Sequence, residues 1–334
     1  MKIQVSKNFY SNLIYIILVV ILFSLIFYRD YLYNLRMMLI DFVPYDHYQY
    51  QILYLFENQP ETRLTIPAAI RVLPILFYSL IYFFLPCTEL SNLPSDLSYD
   101  YICATSAVSF GNFMLTIFII IINYSYFKFI LKKNLSETLF SVIILYGLLN
   151  FADQFAIDKF CIFYIYLILF FQRNNIICGL LILISFLVSE KIFILFGLLF
   201  FIKYFFLKKS EIYLKYLTLS IISLFLYFIL LKIGKIYFAS YDFDINFYQM
   251  LKIFYNKTAI SNSLIPILLS VFTYLSLIIV KYKSFSTLEV LLPLSMISFG
   301  VLGGVENVGR YISYTIPFFL PILTNYLYYK LKIK

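Results

Sequence analysis

The chain has 334 residues, 63% of them hydrophobic and 13% charged, with a mean hydropathy of +0.89, whereas a soluble domain is about 45–50% apolar and about 25% charged. That balance excludes a soluble globular domain and points to an integral membrane protein. The net charge of +9 is scattered over short connections without forming a stripe, which argues against a nucleic-acid face, and one histidine with no CxxC pair leaves no ordinary His/Cys zinc site.

Apolar runs lie near residues 11–28, 68–86, 105–131, 136–152, 157–171, 176–189, 191–207, 214–231, 263–280, 285–302 and 311–328. They predict about eleven spans, and in lipid these must be helices, because the alternating segments of a barrel are absent. The expected fold is all-α: a polytopic transmembrane bundle of about 10–12 spans. It forms one integral membrane domain over 1–334, with short interfacial helices in a first extracytoplasmic loop at 29–67 and a late extracytoplasmic loop at 232–262. The first run lacks a small-residue cleavage site and reads as a retained span.

Orientation follows the cations of the short loops. Lys128, Lys132 and Lys133, then Arg173, then Lys203, Lys208, Lys209 and Lys215, then Lys281 and Lys283, then Lys330, Lys332 and Lys334 alternate with basic-poor connections. These clusters are expected on the cytoplasmic side. The 68–86 run interrupts the alternation. It re-enters without crossing, or a second crossing lies nearby, or the N-terminus is outside; Lys2 and Lys7 favour one of the first two. Cys87 and Cys103 flank the outer 87–104 connection and would pair in an oxidising compartment, although two unpaired structural cysteines are the expectation.

On this layout the outer face holds 14 of the 17 acidic residues and five of the six arginines, Arg29, Arg36, Arg63, Arg71 and Arg310. Arginine pairs bidentately with phosphate where lysine cannot. A face rich in carboxylate and arginine suggests a phosphate-bearing substrate and a base.

The chemistry is expected in the first outer loop. Asp46, in YDHYQY, is placed as a general base near the headgroup level, with Tyr45 and Tyr50 offering faces that stack on sugars; the alternative is a solvated loop acid among interfacial tyrosines. Asp41 is its rival or a helix cap, and His47, the one histidine, is a proton shuttle or a structural side chain. Arg63 and Arg71 are candidate phosphate ligands, or, for Arg71, an anchor to lipid phosphate. Glu190 and Lys191 interrupt apolar sequence on both sides, as an interior polar site or a tight turn. Glu306 and Arg310 stand at i, i+4 in GGVENVGRYISY. There is no Walker motif, GxGxxG, GxSxG or HExxH.

The order of these features resembles the GT-C superfamily of integral-membrane glycosyltransferases: a first span, an outer aspartate (Asp46), Arg71-x-x-Pro74, an acidic outer turn (Asp153, Asp158), Ser189-Glu190 and an arginine before the last span (Arg310). The resemblance implies a polyprenyl-phosphate-linked sugar donor, a glycan, lipid or protein acceptor at the extracytoplasmic face, and inverting transfer in cell-envelope polysaccharide synthesis. Asp46 is then the base, and Arg71 and Arg310 hold carrier phosphate. His47 stands where a second acidic residue would follow Asp46, so no cofactor is expected and a divalent metal is not indicated. The AT-rich residue usage points to a bacterial cytoplasmic (inner) membrane. The competing reading is a multi-spanning secondary transporter or a flippase or polymerase of lipid-linked saccharides.

Overall fold

The computed structural model describes residues 19–33, 35, 52, 71–85, 99–152, 156–207, 210–237 and 314–332, and every regular element among them is helical. Helix α1 runs over 19–26 and continues as a seven-residue π-helix, Phe27–Tyr33. It therefore carries Arg29 and Asp30, which open the expected 29–67 loop, on a helix.

Helix α2 is Val72–Phe84 and ends at Leu85, whose extended backbone (φ −95°, ψ 125°) stops the ladder. Pro74 falls in its first turn, where no amide partner is lost. Thirteen residues span about 20 Å, short of the roughly 30 Å hydrocarbon core. That length suits a re-entrant or partial span.

Helix α3, Tyr99–Ser125, finishes in a π turn, Tyr126–Ile130. The chain then reverses through Lys132, which adopts φ 54°, into α4, Leu135–Ala152. Asn134 caps α4 by accepting the Glu137 amide at 2.8 Å. Next come α5, Ala156–Phe170, and α6, Asn175–Ile184, whose Asn174 cap accepts from Ile176 and Ile177 before a 3-10 turn, Ser185–Leu187. Helix α7 is Glu190–Ile202 with a π turn at Lys203–Leu207, α8 is Glu211–Tyr237, and α9 is Ile316–Lys332. These follow the apolar runs from 105 to 231 and at 311–328 closely. The expected spans at 263–280 and 285–302 lie outside the described residues.

Among the described residues two stretches are long and apolar enough to cross a membrane: Tyr99–Ile130, with 32 residues, and Glu211–Ile233, with 23. They differ in surroundings. Helix α3 is central, packed by α1, α2, α4 and α5, and buries a polar stripe of Thr105, Ser109, Asn112, Thr116 and Asn123. Tyr78 on α2 donates to Asn112 Oδ1 at 2.8 Å, and Asn123 donates to Ser141 on α4 at 3.1 Å, so the stripe joins helices. Helix α8 packs on α6 and α7 with one face and exposes Ile221, Ile222, Phe225, Phe228, Ile229 and Ile233 on the other. An apolar face of that extent is unusual on a soluble monomer.

The helix ends sort into two levels. At one, Arg173 donates to the Ile130 carbonyl at 3.1 Å, Lys133 reaches Asn325 at 3.3 Å, and Lys203 lies over the Tyr213 ring at 5.4 Å. These are the basic turns. The N-terminal ends of α2, α5, α7 and α9 lie at the opposite level, together with the end of α1.

Candidate functional site

The level opposite the basic turns is where charged side chains meet. Ser189 adopts extended backbone and caps α7 by accepting the Lys191 amide at 3.4 Å, which sets Glu190 at the helix's first position. Arg71, directly before α2, extends Nη2 to Glu190, 3.0 Å from Oε1 and 3.3 Å from Oε2. The two residues are 119 positions apart in sequence. Ser189 and Tyr227 of α8 each donate a hydroxyl to Glu190 Oε2 at 3.3 Å. The carboxylate is thus gripped from α2, α7 and α8, with the pair's side chains only 14% and 21% exposed.

Burial works to raise the Glu190 carboxyl. The Arg71 guanidinium, the Lys191 ammonium, the carboxylate's own backbone amide and the direct Arg71 hydrogen bond outweigh it and hold the group down to about 2. Glu190 is therefore an anion at any physiological pH. Such a group is a poor proton acceptor, and its chemical use is to fix the plane of Arg71. An oriented guanidinium is what a phosphate oxygen binds best.

Two further contacts surround this pair. Lys191 is buried and donates Nζ to the Tyr314 hydroxyl at 3.1 Å while lying 5.4 Å from that ring's centroid. On α5, Lys159 meets Asp30 of α1 at 3.0 Å, both residues 4% exposed. Phe160, beside Lys159, packs edge-on against Phe77 of α2 with centroids 5.7 Å apart, which connects the two ion pairs through α2.

Of the residues expected to form the site, the structure brings Arg71 and Glu190 together. Asp41, Tyr45, Asp46, His47, Tyr50, Arg63 and Arg310 lie outside the described residues. Sequence reasoning did not single out Asp30, Lys159, Tyr227 or Tyr314. For Asp30 the available signal was its place at the end of an apolar run, and for Lys159 its position three residues inside another. Cys103 is disulfide-bonded, contrary to the expectation of two unpaired cysteines, while Cys161 and Cys178 are buried thiols outside any disulfide. The bond suits a connection exposed to an oxidising compartment. Among the described residues no group of three His, Cys, Asp or Glu side chains could hold a metal ion.

No family model, curated protein or solved structure matches the chain.

Proposed function

We propose that the chain is a multi-pass membrane glycosyltransferase of the GT-C type, a many-span helical bundle that moves a sugar from a polyprenyl-phosphate donor to an acceptor hydroxyl at the extracytoplasmic face. The observation that carries the reading is the Arg71–Glu190 pair: a guanidinium held by a permanently ionised carboxylate, at the end of the bundle away from the basic turns. Two candidate spans, the exposed apolar face of α8 and the disulfide at Cys103 support a membrane setting with this end outward.

In the proposed reaction the Asp46 carboxylate, or Asp41 in its place, takes the proton of the acceptor hydroxyl. The acceptor oxygen attacks the anomeric carbon opposite the phosphate, the carbon–oxygen bond to phosphate breaks with its electron pair going to the phosphate, and the anomeric configuration inverts. Arg71, with Arg63 and Arg310, offsets charge developing on the leaving phosphate. His47 relays the proton outward, and Tyr45 and Tyr50 stack on the sugar.

The test is transfer of radiolabelled sugar from polyprenyl-phosphate donors in membranes holding matched amounts of wild type, Asp46→Asn and Arg71→Ala. Transfer by wild type that is abolished in Asp46→Asn and reduced in Arg71→Ala is expected. Absence of transfer by wild type across donors and across glycan, lipid and protein acceptors would overturn the proposal in favour of a transporter or flippase.

A further inference from the structure

Several hydroxyl groups in these helices return their proton to the backbone one turn earlier. On α3, Thr105 donates to the Tyr101 carbonyl at 2.7 Å and Thr116 to the Asn112 carbonyl at 3.1 Å, and on α8 Ser220 donates to the Tyr216 carbonyl at 3.0 Å. Ser106 and Ser109 do otherwise. Both are fully buried, and among the described residues neither Oγ has a hydrogen-bond partner. A hydroxyl buried in a membrane interior without a partner is costly, because lipid offers nothing in its place. A dry seam of small residues would bring helices close together, but it would leave both groups unbonded.

The helices packed on α3 supply the rest of the setting. Tyr31 of α1 lies edge-on to Phe110 with ring centroids 5.7 Å apart, and Phe27 of α1 lies edge-on to Phe113 at 5.4 Å. These contacts run α1 antiparallel to α3 and bring Asp30 to the level of Phe110, the residue after Ser109. Asp30 and its partner Lys159 on α5 are 3.0 Å apart and each 4% exposed. A buried ion pair is stable only where further hydrogen bonds take up its remaining lone pairs and protons, and a carboxylate offers about four acceptor sites. Ser106 and Ser109 stand one helical turn apart, with Cβ atoms about 5–6 Å from each other. One water molecule spans that gap.

We infer that an internal water is bound where α1, α3 and α5 meet, held by the Ser106 and Ser109 hydroxyls and hydrogen-bonded to the Asp30–Lys159 pair. Two hydroxyls and the ion pair give it the two to four polar partners that an internal water requires. The water satisfies the serines and adds a hydrogen bond to the ion pair, so that the interior between these helices is wet at this level. The site goes beyond the glycosyltransferase reading and does not depend on it.

The test is radiolytic footprinting of the full chain in lipid nanodiscs, in which hydroxyl radicals formed by X-rays from bound water label the buried side chains beside it. Phe113 is the reporter: it stands four residues after Ser109, on the same helix face, and is 4% exposed. Phe127 and Phe196, each 1% exposed, are the comparison rings. Phe113 is expected to be hydroxylated faster than either, and Ser106→Ala/Ser109→Ala should bring its rate down to theirs. Equal rates for the three rings in wild type overturn the inference, and so does a Phe113 rate that the double variant leaves unchanged. Should the double variant speed labelling of Phe127 or Phe196, which signals looser packing, the single Ser109→Ala chain is read instead. There a fall at Phe113 upholds the site and an unchanged rate overturns it.

Discussion

Replacing Arg71 with alanine separates the energetic part of the site from its chemistry. In the folded chain Glu190 titrates at about 2 against an ordinary 4.5, and at about 1.4 kcal/mol per unit that difference is worth about 3 kcal/mol. Because the folded value is the lower one, the contribution is fully present above pH 4.5 and is lost as pH falls through about 2. Arg71 is the first of the groups that lower the carboxyl, and without it burial is opposed by Lys191, the helix amide and the Ser189 and Tyr227 hydroxyls. Arg71→Ala should therefore cost about 3 kcal/mol at pH 7, at the low end for breaking a buried pair. The deficit should shrink as pH falls below about 4, because a protonated Glu190 needs no cation. The chain has no tryptophan, so unfolding of the detergent-purified protein is best followed by far-ultraviolet circular dichroism. Arg71→Met/Glu190→Gln, which removes both charges, should regain most of the loss. A variant as stable as wild type at pH 7, or a deficit that widens in acid, would refute the reasoning.

Two other perturbations test the frame around the site. A methyl group at Gly111 would lie 2.5 Å from Cε1 of Tyr78, a fully buried ring tied to Asn112; Gly111→Ala should destabilise by about 1–3 kcal/mol, and Tyr78→Phe combined with it should cost less than the two losses added, read from the same unfolding curves. For the disulfide at Cys103, an impermeant reductant applied to intact cells should expose that thiol to maleimide while Cys161 and Cys178 stay unlabelled, and reduction should lower stability by about 2–4 kcal/mol.

Much of the helical layout was legible because it rests on composition over long windows. The apolar runs at 136–152 and 157–171 match α4 and α5 to within a residue, since Asn134, Asn174 and Ser189 mark starts in the way caps do and lysines mark the turns. The start of α3 was placed at 105, six residues late, because Tyr99–Thr105 mixes Asp100 with two tyrosines, and Tyr99 and Asp100 form an exposed or half-exposed first turn that lacks the apolar signal of a span. The polar stripe of α3 was hidden in the same way, its serines and asparagines diluted by isoleucine. Arg71 and Glu190 were each recognisable as charges interrupting apolar sequence, but their pairing is a tertiary contact across 119 positions between the starts of α2 and α7. Asp30 was read as loop because an acid after an apolar run usually is one; its partner lies on α5, out of reach of local pattern.

The contrast between the two long helices bears on how the chain is assembled. Helix α8 exposes aliphatic and phenylalanine side chains on the face turned away from α6 and α7, so that face can rest in lipid as soon as it is made. Helix α3 differs: Asn112 is bonded by Tyr78 on α2 and Asn123 bonds Ser141 on α4, one helix synthesised before it and one after. Until α4 arrives, Asn123 is a polar amide in hydrocarbon with nothing to bond. A chaperone or insertase that shields α3 during that interval would therefore be needed, and α8 would not call for one.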